Sequence, residues 1–229
     1  SHDIVLTARN PRESGVRLDW GDHIRPDLQF DLTVPANCNL DLKTGAGDIT
    51  VGSLTGHMRA STGTGTISFR QIDGSVEASA QVGDVIVSRC SGEVDLKTVQ
   101  GNVRIGTVGG RADLETVEGD IEVQTARNVV KANAEKGDIT AGFAQVAGES
   151  TITTSVGNIS ATVNPVAACS IQASSRWGRI FNRMPLAGPT GGGSAGRLVG
   201  AYNGGGPLID LAASGGNIKL ATGEPLFAD

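Results

Sequence analysis

The stretch "VDLKTVQGNVRIGTVGGRADLETVEGDIEVQT", Val94 to Thr125, writes almost the same line twice, eighteen residues apart. Its kernel is a Gly, then a small or polar residue, then Ile or Val. Outward from this stretch the kernel recurs at Gly47-Asp48-Ile49, Gly65-Thr66-Ile67, Gly83-Asp84-Val85, Gly101-Asn102-Val103, Gly119-Asp120-Ile121 and Gly137-Asp138-Ile139, each time at a spacing of eighteen. It continues at Gly157-Asn158-Ile159 and Gly178-Arg179-Ile180 after steps of twenty and twenty-one, and returns at Gly216-Asn217-Ile218. A second turn marker falls midway, at Gly56, Gly74, Gly92, Gly110, Asn128 and Gly148. Self-similarity at a fixed period of this length signals a repeat architecture.

Aligned on the first Gly, the units form columns. Two residues after it stand Ile49, Ile67, Val85, Val103, Ile121 and Ile139; five before it stand Leu42, Ala60, Ala78, Leu96, Leu114 and Ala132. Polar residues alternate with them, among them Asp41, Arg59, Glu77, Asp95, Asp113 and Lys131. Strict period-2 alternation makes each half-unit a β-strand with one buried face; a helix would need apolar residues at i, i+3, i+4 and i+7, which do not recur. Two strands and two turns in eighteen residues make one coil of an all-β parallel β-solenoid. Roughly nine coils at ~4.8 Å per rung would span on the order of 40 Å.

Bulk composition agrees. At 38% hydrophobic and 19% charged residues, a packed core is possible. Aromatics are only 3%, so that core is built from Val, Ile, Leu and Ala. The net charge of −5 argues against nucleic acid as a partner. No apolar run reaches the ~18 residues of a bilayer span. Ser1-His2, without an initiator Met, reads as a tag remnant; membrane contact is expected only through a segment outside this sequence.

The period divides the chain. Residues 1–39 read as this remnant plus an N-terminal β cap, with "VRLDW" (16–20) and "LQFDLTVP" (28–35) as strands. Residues 40–183 are the coils. Residues 184–207 are a Gly/Pro-rich loop insertion, with a hairpin expected at "GRLVGAY" (196–202), and 208–229 supply the terminal coil and tail. A cap is needed because an open parallel edge invites further strand pairing.

Candidate chemistry is sparse. Cys90 shares a column with Leu54, Ile72 and Val108 and reads as core. Cys38 and Cys169 fall about seven rungs apart, far beyond the ~7 Å Cα limit of a disulfide. No Cys/His cluster has zinc-ligand spacing, so neither metal nor cofactor is expected. The column Asp48, Thr66, Asp84, Asn102, Asp120, Asp138, Asn158 could be read as calcium ligation. Calcium β-rolls, however, repeat their motif twice per coil, so local turn hydrogen bonding is the expectation. No nucleophile motif appears. Glu77, Asp95 and Asp113 would stack as a carboxylate row, but on a solvated face balanced by Lys43, Lys97 and Arg59. No catalytic residue is assigned. The one local oddity is "SSRWGRIFNR", 174–183, which sets Arg176, Trp177, Arg179 and Arg183 within one coil of an acidic chain. Exposed, this group would be a sugar or anion platform; the tendency of large aromatics to be buried favours Trp177 packing beneath 184–207 instead.

The stretch "LTVPANCNLDLKTGAGDITV" (32–51), the run of GDI and GNI coils and "GGGPLIDLAASGGNIKL" (204–220) together resemble a bacterial family of adhesin-type proteins with toast-rack-like or auto-transporter-head-like β-repeats, over roughly residues 30–222. The resemblance implies a right-handed parallel β-solenoid, exported or membrane-tethered, without established catalytic residues. The expected function is therefore a non-enzymatic, extracytoplasmic binding or scaffold module of the cell envelope, its partner a cell-surface glycan or an envelope protein. The alternatives are a polymer-forming, bactofilin-like scaffold and a polysaccharide-active β-helix enzyme.

Overall fold

The computed structural model describes residues 3–7, 32–188 and 196–223. Among these residues, twenty strands run in chain order: β1 (Asp3–Thr7), β2 (Asn39–Ala46), β3 (Ile49–Thr55), β4 (Met58–Thr64), β5 (Ile67–Asp73), β6 (Val76–Val82), β7 (Val85–Cys90), β8 (Val94–Gln100), β9 (Val103–Val108), β10 (Ala112–Glu118), β11 (Ile121–Ala126), β12 (Val130–Lys136), β13 (Ile139–Phe143), β14 (Ser150–Val156), β15 (Ile159–Val163), β16 (Cys169–Ser175), β17 (Ile180–Asn182), β18 (Arg197–Tyr202), β19 (Leu208–Ala213) and β20 (Ile218–Thr222). Even-numbered strands from β2 to β14 stack in one sheet and odd-numbered strands from β3 to β15 in the other, all parallel. The columns are the pairing register: Leu96 pairs with Leu114 and Val103 with Ile121, eighteen residues apart. The protein is a β-solenoid with its apolar columns turned inward from both sheets. Met58, Ile67, Phe69, Leu96, Ile105, Ile121 and Ile152 are fully buried.

Two columns at the first corner hold the coils in register. The Asx positions there make hydrogen bonds between rungs, and so do the buried Thr hydroxyls, while Thr44 and Thr62 also bond within the turn to the Ala46 and Thr64 carbonyls. The side-chain Oδ1 of Asp48, Asp84, Asn102, Asp120, Asp138, Asn158 and Asn217 each accepts the backbone N–H at the same position of the next coil, at 2.7–3.0 Å. This corrects the expectation of local turn bonding. Each oxygen is already engaged in the ladder that stacks the coils. An Asn serves as well as an Asp, which is why the two alternate. Inside the same corner, the buried Thr62, Thr98, Thr116 and Thr154 hydroxyls donate to the carbonyls of Gly47, Gly83, Gly101 and Gly137, at 3.0–3.1 Å. A buried hydroxyl left unpaired would be destabilising, so the column is satisfied throughout. Asp120→Asn is accordingly expected to leave stability nearly unchanged, while Asp120→Ala costs about 1 kcal/mol in urea unfolding. Added calcium should leave the melting temperature where it is; a large calcium-dependent rise would contradict the ladder.

The distal end departs from chain order. Seven coils, β2–β3 to β14–β15, follow one another. The next coil in space is β19–β20, and β16–β17 lies outside it. The segment 208–222 is thus the penultimate rung, slotted between Ile152 of β14 and Ala173 of β16 through Leu211. "GRLVGAY" does not form a hairpin on its own. Its residues 197–202 are the single strand β18, antiparallel to β16 and the last strand of that sheet. Asn203, at φ 50, latches β18 to the connector before β16 by donating to the carbonyls of Pro165 and Ala167, at 2.8 and 2.9 Å.

At the opposite end, residues 32–35 of the expected strand 28–35 lie outside any strand, and 28–31 lie outside the described residues. β1 extends the sheet instead, parallel to β2 with Asp3 opposite Asn39. The expected strand at 16–20 lies outside the described residues, as does 189–195 of the expected loop.

The three cysteines are free and buried. Cys38 and Cys169 stand near opposite ends of their sheet, eight strand steps apart because β19 intervenes. Burial pushes the Cys169 thiol up to about 11, and burial likewise raises that of Cys90, outweighing the opposing backbone hydrogen bond at Gly92. Both are then inert thiols at about pH 8. A thiol-reactive disulfide reagent is expected to label neither Cys90 nor Cys169 in the native protein, and all three cysteines once denaturant unfolds it. Rapid native labelling at either position would contradict the burial.

Candidate functional site

The distal coil carries the basic aromatic group. β16 brings Ser175 to the corner, where the chain turns through Arg176, Trp177 and Gly178 into β17. The turn backbone is pinned residue by residue. Arg176 N–H donates to the Ala213 carbonyl and Trp177 N–H to that of Ser214, both at 3.1 Å. Gly178 N–H donates to Ser175 Oγ at 2.9 Å, and that hydroxyl donates to the Gly216 carbonyl at 2.8 Å. Arg179 N–H closes the Asx ladder on Asn217 Oδ1 at 3.0 Å. The Arg183 N–H donates to the Leu220 carbonyl at 2.9 Å. The backbone is therefore fixed while the side chains project outward.

All four residues of the sequence-derived group are exposed. Trp177 is 83% exposed, so it does not pack beneath 184–207 as the burial tendency predicts. Its column explains this. Glu118, Lys136 and Val156 occupy the same column one rung after another, beyond the edge of the core, and Val156 is also exposed. The next rung places Gly215 there, which leaves the indole without a side-chain neighbour in its own column.

Three further residues join the group. Phe181 is 48% exposed on the outer face of β17 and pairs in register with Lys219 of β20. Arg197, at the start of β18, lies opposite Ser174. Phe181 was legible as an outward position of period 2. Lys219 and Arg197 were not singled out: Lys219 lies on the neighbouring rung beside Phe181, and Arg197 comes alongside because β18 folds back antiparallel onto β16.

Charge is segregated along the axis. Residues 150–223 hold Arg176, Arg179, Arg183, Arg197 and Lys219 against the single acid Asp210, whereas residues 40–149 hold fifteen acids and ten bases. Within the acidic body, cations and carboxylates pair: Arg59 with Glu77 at 2.7 Å, Arg111 with Asp113 at 2.8 Å, Lys136 with Glu118 at 2.6 Å and Lys97 with Asp95 at 3.5 Å. Hydrogen bonding to Lys136, with its charge, holds the Glu118 carboxyl below its ordinary value. Among the described residues, no such pair involves a cation of the distal coils.

The other candidates resolve less favourably. Glu77, Asp95 and Asp113 do stack in register, but each faces one of the cations just named. One contact escaped sequence reading: His57 Nδ1 lies 2.6 Å from Ser75 Oγ, across the second corner. His57 is exposed, and no carboxylate among its described hydrogen-bond partners orients the ring as a nucleophile's base requires. Among the described residues no three His, Cys, Asp or Glu side chains are grouped to hold a metal ion. The outer face of the even-numbered sheet carries an open, shallow hollow lined by side chains such as Ser61, Ser79, Lys97 and Glu115.

A model of the family described as Toastrack DUF4097 matches residues 91–221, more than half of the chain and all of the distal coils from β14 to β19. No curated protein and no solved structure matches the chain.

Proposed function

We propose that this chain, which belongs to the Toastrack DUF4097 family, is a non-enzymatic scaffold of the cell envelope, working outside the cytoplasm and holding a surface glycan or envelope protein at its distal coil. The observation that carries this reading is the exposed Trp177, set on a turn backbone pinned by hydrogen bonds and sharing its coil with the exposed Arg176, Arg179 and Arg183. A binding surface whose backbone is already ordered loses less conformational freedom on association. The pairing of the body's charges supports the same division of labour, a stacked spacer ending in a recognition face. An adhesin role is the specific form this reading takes.

The alternative of an end-to-end polymer has less support. The even-numbered sheet ends on the antiparallel β18, which breaks the parallel stacking a further subunit would continue. An enzymatic reading gains nothing from the carboxylate row, whose members face cations.

The test is retention on isolated bacterial envelope fractions, wild type beside Trp177→Ala/Arg179→Ala. Retention by the wild type that falls about tenfold or more in the variant is expected, since exposed Trp and Arg are the commonest energetic anchors of binding surfaces. Equal retention of both proteins, or of neither, would remove the distal coil from the function.

A further inference from the structure

We infer that the distal face recognises an anionic glycan, its oxyanions taken by the arginines and its ring faces by the exposed aromatics. This rests on the binding reading above and names the ligand class for that face. Four observations carry it.

First, the cations are uncompensated. Arg176, Arg179 and Arg183 are all exposed, and none is paired with a carboxylate among the described residues. An arginine keeps its charge at any physiological pH and offers a planar fork of donors to carboxylate or phosphate. Second, much of the body's acidity is already engaged. Its outward carboxylates Glu77, Asp95, Asp113 and Glu118 face their own cations, and those of the Asx ladder accept backbone N–H groups. Third, the aromatics stand in an arginine setting. Trp177 and Phe181 are exposed and are interspersed along the chain with the exposed Arg176, Arg179 and Arg183, whereas a protein-binding core is depleted of charge. Exposed rings interspersed with guanidinium groups in one coil suit a ligand made of rings and oxyanions. Fourth, the basic surface is confined to one end. A nucleic acid needs a basic track along its backbone, and here the track gives way to an acidic body. A short anionic segment bound end-on avoids that body.

The experiment is calorimetric titration of the full chain with three probes: tetragalacturonate, which has rings and carboxylates; maltotetraose, which has rings alone; and inorganic phosphate, an oxyanion alone. An oligothymidylate serves as the fourth arm. The expected result is binding of tetragalacturonate that weakens with added salt. It should fall about tenfold or more in Arg179→Ala/Arg183→Ala and again in Trp177→Ala, as expected for charge-assisted contacts and a stacked ring. Maltotetraose and phosphate should bind far more weakly. The side chains replaced are exposed, and an unchanged melting temperature in each variant confirms that folding is intact. Phosphate or maltotetraose binding as tightly as tetragalacturonate would overturn the inference. So would tighter binding of the oligothymidylate, an unaffected arginine variant, or no binding of tetragalacturonate. Envelope retention that depends on Trp177 without tetragalacturonate binding would overturn the ligand class and leave the proposed function standing.

Discussion

Gly119→Ala is expected to lower stability by about 4 kcal/mol or more, the range reached when a backbone position tolerates no side chain. Gly119 has φ +150, where L side chains are strained, and a Cβ at this position would fall onto the carbonyl of Gly101 in the coil before. The obstruction is backbone, and it recurs up the whole corner: Gly83 meets Gly65, Gly101 meets Gly83 and Gly137 meets Gly119. No rotamer can relieve it. The coils would have to separate locally, and with them the Asn102-to-Asp120 and Asp120-to-Asp138 bonds on either side. At roughly 2–4 °C per kcal/mol for a chain of this size, the melting temperature should fall by about 10 °C or more. Gly52→Ala is the control. Gly52 lies within β3, and the space a methyl group would take there is open, so alanine should be neutral or slightly stabilising. Circular dichroism melts of the two variants decide the matter. Equal, small effects would mean that the glycine column does not set the spacing of the coils.

Leu211→Asp is expected to release the distal coils and spare the body. Leu211 is fully buried in the slotted rung, paired with Ile152 on one side and Ala173 on the other. Ionised there, an aspartate has no partner, and an unpaired buried charge costs several kcal/mol. The strand order makes the damage local. β16–β17 reaches the stack only through β19–β20, so loosening the slotted rung also frees the coil outside it. In a solenoid each coil contacts only its neighbours, so β2 to β15 should persist. Limited proteolysis should cut within 164–223 and leave a resistant fragment ending near Val163. Uniform digestion of the chain, or undiminished resistance of 164–223, would contradict the slotted arrangement.

The coils were legible because their cause is local. Ile67, Val85, Val103 and Ile121 repeat at the period of one turn of backbone, and the Gly two residues before each is demanded by the neighbouring carbonyl. Stacking like upon like then follows without further information. The order of the last two coils was not legible, since "PLIDLAASGGNIKLAT" is as good a coil in either place. The Asn203 latch onto the connector before β16 accompanies the observed order, and periodicity does not encode it. The Asx column was visible, but its bonding reaches across rungs, a distance that no single turn reveals. Trp177 shows a conflict of two rules. Its column predicted exposure, while the general burial of large aromatics predicted the reverse. The column prevailed because Gly215 beneath it offers nothing to pack against.

The central claim is that recognition sits on the distal coil and the body is a spacer. Hydrogen–deuterium exchange of the chain, alone and mixed with solubilised envelope fraction, tests it most directly. The account predicts that bound material slows exchange at residues 174–183 and leaves β4 to β13 unchanged. Slowed exchange along the outer face of the body, around Ser61, Ser79 and Lys97, with 174–183 unaffected, would contradict it.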